Sequence, residues 1–217
     1  GGAIYVITDG AKAGFTATGT SIISSNASTT SGGALYVKNG DIVFANNSIS
    51  SNSSKQGGAV YLEGGSLTTT GEALIQNNYS TLDGGAFYVT GGRIQMENPT
   101  INDNGKNGST VSTANGGAIY VKGTGAGFAA SGNVALNGNS ANNDGGAVYV
   151  AGGNIDITGQ SSNLTISENN ANNGGAFYVN GGGIIANQIS KATITNNYST
   201  VEGGAFYVTG GNINLCN

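Results

Sequence analysis

The chain has 217 residues with 40 Gly against a single Pro, so the glycines serve something regular rather than a disordered or collagen-like segment, which would pair high Gly with high Pro. Seven Lys plus Arg against eleven Asp plus Glu leave a net charge of −4, and with Arg93 as the sole arginine there is no basic stripe for phosphates, so nucleic acid is not an expected partner. Zero histidines and one cysteine remove Ser-His-Asp and Cys-His triads and the usual zinc sites, and no run approaches 18 consecutive apolar residues, so no membrane insertion by this segment is expected.

In chain order, the first element of every unit is the hexapeptide Gly-Gly-Ala-(Ile/Leu/Val/Phe)-Tyr-(Val/Leu). It begins at Gly1, Gly32, Gly57, Gly84, Gly116, Gly145, Gly174 and Gly203. A second alternating run follows a Gly-rich turn, as in Ile94-Gln95-Met96 after Gly91-Gly92 or Ile155-Asp156-Ile157 after Gly152-Gly153. The third run ends in (Ile/Leu)-x-x-Asn: Ile23/Asn26, Ile49/Asn52, Ile75/Asn78, Ile101/Asn104, Leu136/Asn139, Ile166/Asn169 and Ile194/Asn197. Period-2 alternation over such short runs predicts three strands per unit. One unit cannot bury its own apolar face, but stacked units can, which predicts an all-β right-handed parallel β-helix of about eight coils of three short strands. At ~4.8 Å per coil the rod is about 38 Å tall.

A longer period overlies the first. Asn77-Asn78-Tyr79-Ser80-Thr81 recurs 119 residues on as Asn196 to Thr200, and the linker Gly10 to Phe15 has its counterpart in Gly123 to Phe128. Residues 1–115 (coils 1–4) and 116–217 (coils 5–8, a second copy 17 residues short) are therefore read as two modules of one continuous solenoid. Such a chain is expected to be a segment of a longer array whose terminal strand edges are covered by more polypeptide or by a neighbouring subunit.

Strict alternation in the first run sends Ile4, Val6 and their equivalents inward, with Ala3 and Tyr5 on the opposite parity. Tyr5, Tyr36, Tyr61, Tyr88, Tyr120, Tyr149, Tyr178 and Tyr207 then form an outward ladder beside a uniform column of Ala. Stacked tyrosines can simply stabilise adjacent rungs; a flat Ala/Tyr face can equally be a docking surface, since the ring is apolar and its hydroxyl wet. Asn26, Asn52, Asn78, Asn104, Asn139, Asn169 and Asn197 read as a structural ladder that hydrogen-bonds up and down the stack. Before the Gly-Gly pairs, Asp83, Asn115, Asp144, Asn173 and Glu202 alternate acid and amide. Oxygen ligands of that kind suit calcium, yet neither a metal nor any other cofactor is assigned. Cys216 has the parity opposite to Ile213 and Leu215 and is expected to point outward without a disulfide partner. Seven Asn-x-Ser/Thr sequons occur, at Asn26, Asn46, Asn52, Asn78, Asn107, Asn163 and Asn197.

The Gly-Gly-Ala-(Ile/Leu/Val) copies and the x-x-x-Asn segments before them resemble the repeats of the chlamydial-type polymorphic membrane proteins, whose signatures are GGA(I/L/V) and FxxN. Here the Phe is Ile or Leu in all seven columns, and the literal match Phe44-Ala45-Asn46-Asn47 falls one strand earlier. The resemblance covers nearly the whole chain and implies an autotransporter adhesin passenger, a β-helix on the cell surface. The sequence reading is accordingly a non-catalytic extracellular structural or adhesive solenoid, part of a surface adhesin or a self-assembling fibre. Its expected partners are copies of itself, end to end or laterally, or a host or cell-surface receptor or glycan. The alternative is a glycan-binding module or a polysaccharide lyase or glycosidase using Asp83 and Asp144, two rungs and about 9.6 Å apart, near the inverting separation of roughly 6.5–9.5 Å. Against an enzyme stand an isolated Arg93 and turns too short to build a cleft.

Overall fold

The computed structural model describes residues 1–8 and 14–216. Of the linker Gly10 to Phe15 in the first module, Gly10–Ala13 lie outside the described residues. The described residues form a parallel β-helix and contain no helix. One wall is an eight-stranded sheet made from the Tyr-bearing runs, in the order Ile4–Ile7, Leu35–Lys38, Val60–Leu62, Phe87–Val89, Ile119–Val121, Val148–Val150, Phe177–Val179 and Phe206–Val208. Every neighbouring pair is parallel and in register, Tyr opposite Tyr. Eight rungs enclose seven turns.

The second and third runs share one sheet instead of standing as separate walls. In four coils they are a single strand, Gly14–Ser24, Gly40–Ser50, Asn154–Ser167 and Gly183–Thr195. In the three coils between, the strand divides around Gly71, at Asn98 and around Gly132, each of which has a left-handed backbone, φ +78°, +41° and +74°. A further short run, not expected from the sequence, follows the Asn corner in some coils, as in Ser53–Ser54 paired with Tyr79–Ser80 and Asn170–Asn173 paired with Tyr198–Glu202.

The interior is made of columns. Leu35, Val60, Phe87, Ile119, Val148 and Phe177 are fully buried, with Ile4 and Phe206 partly buried at the two ends. The column Phe15, Ile42, Leu67, Ile94, Phe128, Ile155, Ile184, Ile213 stacks in register, as does Ile23, Ile49, Ile75, Ile101, Leu136, Ile166, Ile194. Phe87 meets Phe128 across the core, ring centroids 5.7 Å apart at 55°.

The alanines are a correction. Ala34, Ala59, Ala86, Ala118, Ala147 and Ala176 have no exposed surface and belong to the core, not to an outer Ala/Tyr face. Strand alternation begins only at the following residue. Ala34 lies in a bend where its own amide and that of Leu35 both donate, each at 2.9 Å, to the carbonyl of Ala59. Two amides sharing one acceptor break the parity, and the small methyl turns inward.

The Gly-Gly pair before each Ala has two separate causes. Gly116 has φ +59°, a conformation a side chain resists. Gly117 instead passes against the next coil, where an added Cβ would fall on the carbonyl oxygens of Gly146 and Ser140. The same division recurs at the internal copies.

Candidate functional site

The Asn corner is the most completely satisfied polar feature of the molecule. In each coil the residue before the ladder Asn is left-handed: Ser25, Ser51, Asn77, Asp103, Glu168 and Asn196 have φ of 53–59°, and Gly138 has φ +65°. That turn swings the Asn side chain inside, and Asn52, Asn78, Asn104, Asn139 and Asn169 are fully buried. The Asn104 amide and Nδ2 both donate to Oδ1 of Asn139 at 3.0 Å, and Asn104 Nδ2 also donates to the Ile75 carbonyl at 3.1 Å. The pattern repeats from Asn26 to Asn197. An internal ladder oxygen accepts twice and its nitrogen donates to both neighbouring coils, using the whole capacity of a primary amide. The Ile-x-x-Asn spacing follows, because the carbonyl accepting from each Nδ2 belongs to the Ile or Leu three residues before the previous coil's Asn.

The left-handed corner yields a stability prediction. A non-glycine residue there costs about 1–2 kcal/mol, while glycine costs about 0.5–1 kcal/mol more to order. Glu168→Gly on the exposed corner is expected to raise stability by about 0.5–1 kcal/mol, read as a higher urea midpoint. A lower midpoint would show that the Glu168 side chain contributes more than the turn strains.

The tyrosines keep the outward parity and are absent from the core cluster, but they are less open than an outer column implies. Neighbouring rings lie face to face, centroids 4.8–5.3 Å apart and within 17° of parallel except at Tyr178–Tyr207, which tilts by 34°. Tyr5, at the end of the stack, is 57% exposed, whereas Tyr88 is only 4% exposed. Stacking consumes the ring faces; edges and hydroxyls are what remain. The hydroxyls have partners too: Tyr36 Oη donates to Glu63 Oε2, and Glu63 also pairs with Lys38 at 3.2 Å.

Burial pushes the Tyr88 phenol up to about 12, with the Asp83 carboxylate adding to the effect. Tyr36, Tyr120 and Tyr149 are raised as well, first by burial; the Tyr36 bond to Glu63 and the Asp83 charge near Tyr120 contribute. Unfolded tyrosine ionises near 10. The folded chain therefore holds these protons where the unfolded chain has lost them, so this contribution is whole below pH 10 and declines as pH rises through 10 toward 12 and beyond. Urea midpoints are expected to fall as pH rises from about 10 to about 12, and the double variant Tyr88→Phe/Tyr120→Phe to flatten the fall. An unchanged slope in that variant would assign alkaline sensitivity elsewhere.

The acid and amide column forms bonds of its own. Asn115 Nδ2 donates to Asp83 Oδ1 at 2.9 Å and Asn173 Nδ2 to Asp144 Oδ1 at 2.8 Å. Asn115 bridges to both Asp83 and Asp144 in the ladder, so it lies between the two carboxylates where an inverting mechanism would place its water. Among the described residues no three His, Cys, Asp or Glu side chains gather as a metal set. Arg93 is not isolated: its Nη2 reaches Asp156 Oδ2 at 2.7 Å, two coils on, passing over Gly127. Cys216 is exposed, its Sγ 2.7 Å from Asn214 Oδ1. Of the sequons, Asn52 and Asn78 are buried with their amides engaged, while Asn46, Asn107 and Asn163 are exposed.

The turns are not all short. Lys106–Asn107 and Thr110–Val111 form an antiparallel hairpin that stands off the rod and walls a cleft of about 570 Å³. The sequence signal was there in the 32-residue spacing from Gly84 to Gly116 and the Asn107-Gly108-Ser109-Thr110 turn.

Residues 133–151 match the Chlamydia polymorphic membrane protein (Chlamydia_PMP) repeat. One segment of the chain is thus similar to that repeat. The matched stretch contains Leu136, rounds the Asn139 corner and ends just past the Tyr149 strand, so it joins the ladder Asn to the Gly-Gly-Ala bend in one unit. In this polymorphic-membrane-protein repeat the Leu136 carbonyl accepts from Asn169 Nδ2 at 2.8 Å, which requires a backbone oxygen and an inward apolar side chain but no aromatic ring. That is the physical reason Ile and Leu serve where the signature has Phe. No match was found among curated proteins or among solved structures.

Proposed function

We propose that the chain is a passenger-type segment of a cell-surface adhesin, a non-catalytic rod that displays its outer faces to a host or cell-surface receptor or glycan, or to copies of itself. The observation that carries this reading is the polymorphic-membrane-protein repeat set in an unbroken stack of coils, since family members of that type are outer-membrane surface autotransporters. The lack of catalytic residues is part of the proposal, and it is supported by the amide of Asn115 seated between Asp83 and Asp144. The tyrosine wall is the proposed lateral docking face. It offers ring edges and hydroxyls, which suit another flat β surface better than a stacked sugar.

Beads coated with the purified chain are expected to adhere to epithelial cells, with soluble chain competing. Adherence no better than that of beads coated with heat-denatured chain would overturn the adhesive reading. Sedimentation of the chain alone reads the other branch: a concentration-dependent rise in mass supports self-association, and a fixed monomer mass at high concentration removes it.

A further inference from the structure

Tyr79 is set apart from the eight stacked tyrosines. It sits just past the Asn78 corner, half-buried, with no ring stacked on it among the described residues. The Lys106–Val111 hairpin rises beside it, and the base of that hairpin is fixed. Fully buried Thr113 accepts from the Ser80 amide at 3.1 Å and donates to the Ser80 carbonyl at 3.2 Å, while Lys106 Nζ donates to the Gly138 carbonyl at 2.9 Å on the following coil.

The cleft beside the hairpin is lined by the stacked corner residues Ser51, Asn77 and Asp103, by Lys106 and Asn107 of the hairpin, and by Tyr79. On the other flank of Tyr79 a second depression of about 350 Å³ includes Ser53, Lys55 and Thr81. The two share the ring, so the groove spans the coils carrying Ser53, Tyr79 and Asp103. Its other polar groups are amides and hydroxyls; the Asp103 carboxylate is offset by an ammonium, Asp103 Oδ1 lying 3.9 Å from Lys106 Nζ, and Lys55 adds one positive charge at the far end. A half-buried aromatic ring amid bidirectional hydrogen-bonding groups, with no more than one net positive charge, is complementary to a molecule that has an apolar ring face and a rim of hydroxyls.

We infer that this groove binds a short stretch of a neutral oligosaccharide, one sugar ring laid against Tyr79 and its hydroxyls held by Asp103, Asn77 and Asn107. The fixed hairpin base means little ordering is needed on binding. The site is distinct from the tyrosine wall and does not depend on surface display, since it is assayed on the purified chain.

The test is binding of the purified chain to a panel of neutral tetrasaccharides built from glucose, galactose and N-acetylhexosamines, alongside sialylated and sulfated counterparts. At least one neutral member is expected to bind, with affinity changing less than twofold between 50 and 500 mM salt. Tyr79→Ala is expected to weaken it at least tenfold. Ser109→Trp, at the exposed hairpin tip, blocks the cleft without touching the core and is expected to do the same. Tyr198→Ala, at the equivalent position of the second module, where the ring is 59% exposed, is expected to bind as the parent does. The inference is overturned if no neutral saccharide binds, if only anionic glycans bind and salt abolishes it, or if Tyr198→Ala loses as much as Tyr79→Ala while Ser109→Trp loses nothing. Cell adherence of coated beads that fails while neutral saccharides still bind would remove the adhesive reading and leave this site standing.

Discussion

Asn139→Ala is expected to cost about 3 kcal/mol or more, because it strands three buried groups at once and each unsatisfied group costs about 1–3 kcal/mol. Asn139 Oδ1 is the acceptor for both the amide and the Nδ2 of Asn104, each at 3.0 Å, and Asn139 Nδ2 is the donor to the Ile101 carbonyl at 2.9 Å. The corner is fully buried, so water cannot take over without opening the stack between two coils. Asn139→Asp is expected to be at least as damaging: the oxygen replacing Nδ2 would face the Ile101 carbonyl and Asn169 Oδ1, acceptor against acceptor. Exposed Asn163→Ala should stay within about 0.5 kcal/mol of the parent. Urea denaturation reads all three. An Asn139→Ala midpoint equal to that of Asn163→Ala would mean the ladder bonds are no stronger than their replacements by solvent.

Gly117→Ala is the second large loss, about 3 kcal/mol or more. The new methyl would collide with the carbonyl oxygens of Gly146 and Ser140. These are backbone atoms of the neighbouring coil, fixed by their own ladder bonds, and they cannot rotate aside as a side chain could. Gly125 provides the contrast within the same coil. An added Cβ there meets nothing within 4 Å, and Gly125→Ala is expected to be neutral or to stabilise by about 0.4–1 kcal/mol through the unfolded chain. Thermal midpoints compare the two directly; equal midpoints would show that coils part easily enough to admit a methyl, against the close stacking on which the fold rests.

The two losses have a common origin. In a solenoid each coil is stabilised chiefly by its neighbours, so a residue used in stacking is repeated in every coil and its removal is felt on both sides. This is why Asn and Gly, poor formers of most regular structure, recur at fixed places in coil after coil.

The repeat by itself determined the parallel stack, the inward Ile, Val, Leu and Phe columns and the seven-membered Asn ladder, because each is fixed by spacing between successive copies, and spacing is what a sequence displays. It also placed Cys216 outside, by parity alone. The Ala column went astray because alternation was extended through Gly-Gly-Ala, where the chain bends and two amides share one carbonyl. Merging of the second and third runs depended on whether a left-handed residue, Gly71, Asn98 or Gly132, breaks the strand in a given coil, a local effect weaker than the period. The Arg93 to Asp156 pair needed the knowledge that small residues on the intervening coil leave room for the side chain to cross it. The hairpin beside Tyr79 left a trace in the spacing, but the groove it forms with the neighbouring coils was decided by tertiary structure. It arises where a single irregular turn is pinned through Thr113 to a neighbouring coil, and a feature that occurs once, among residues as distant in sequence as Ser51 and Asn107, leaves no period to read.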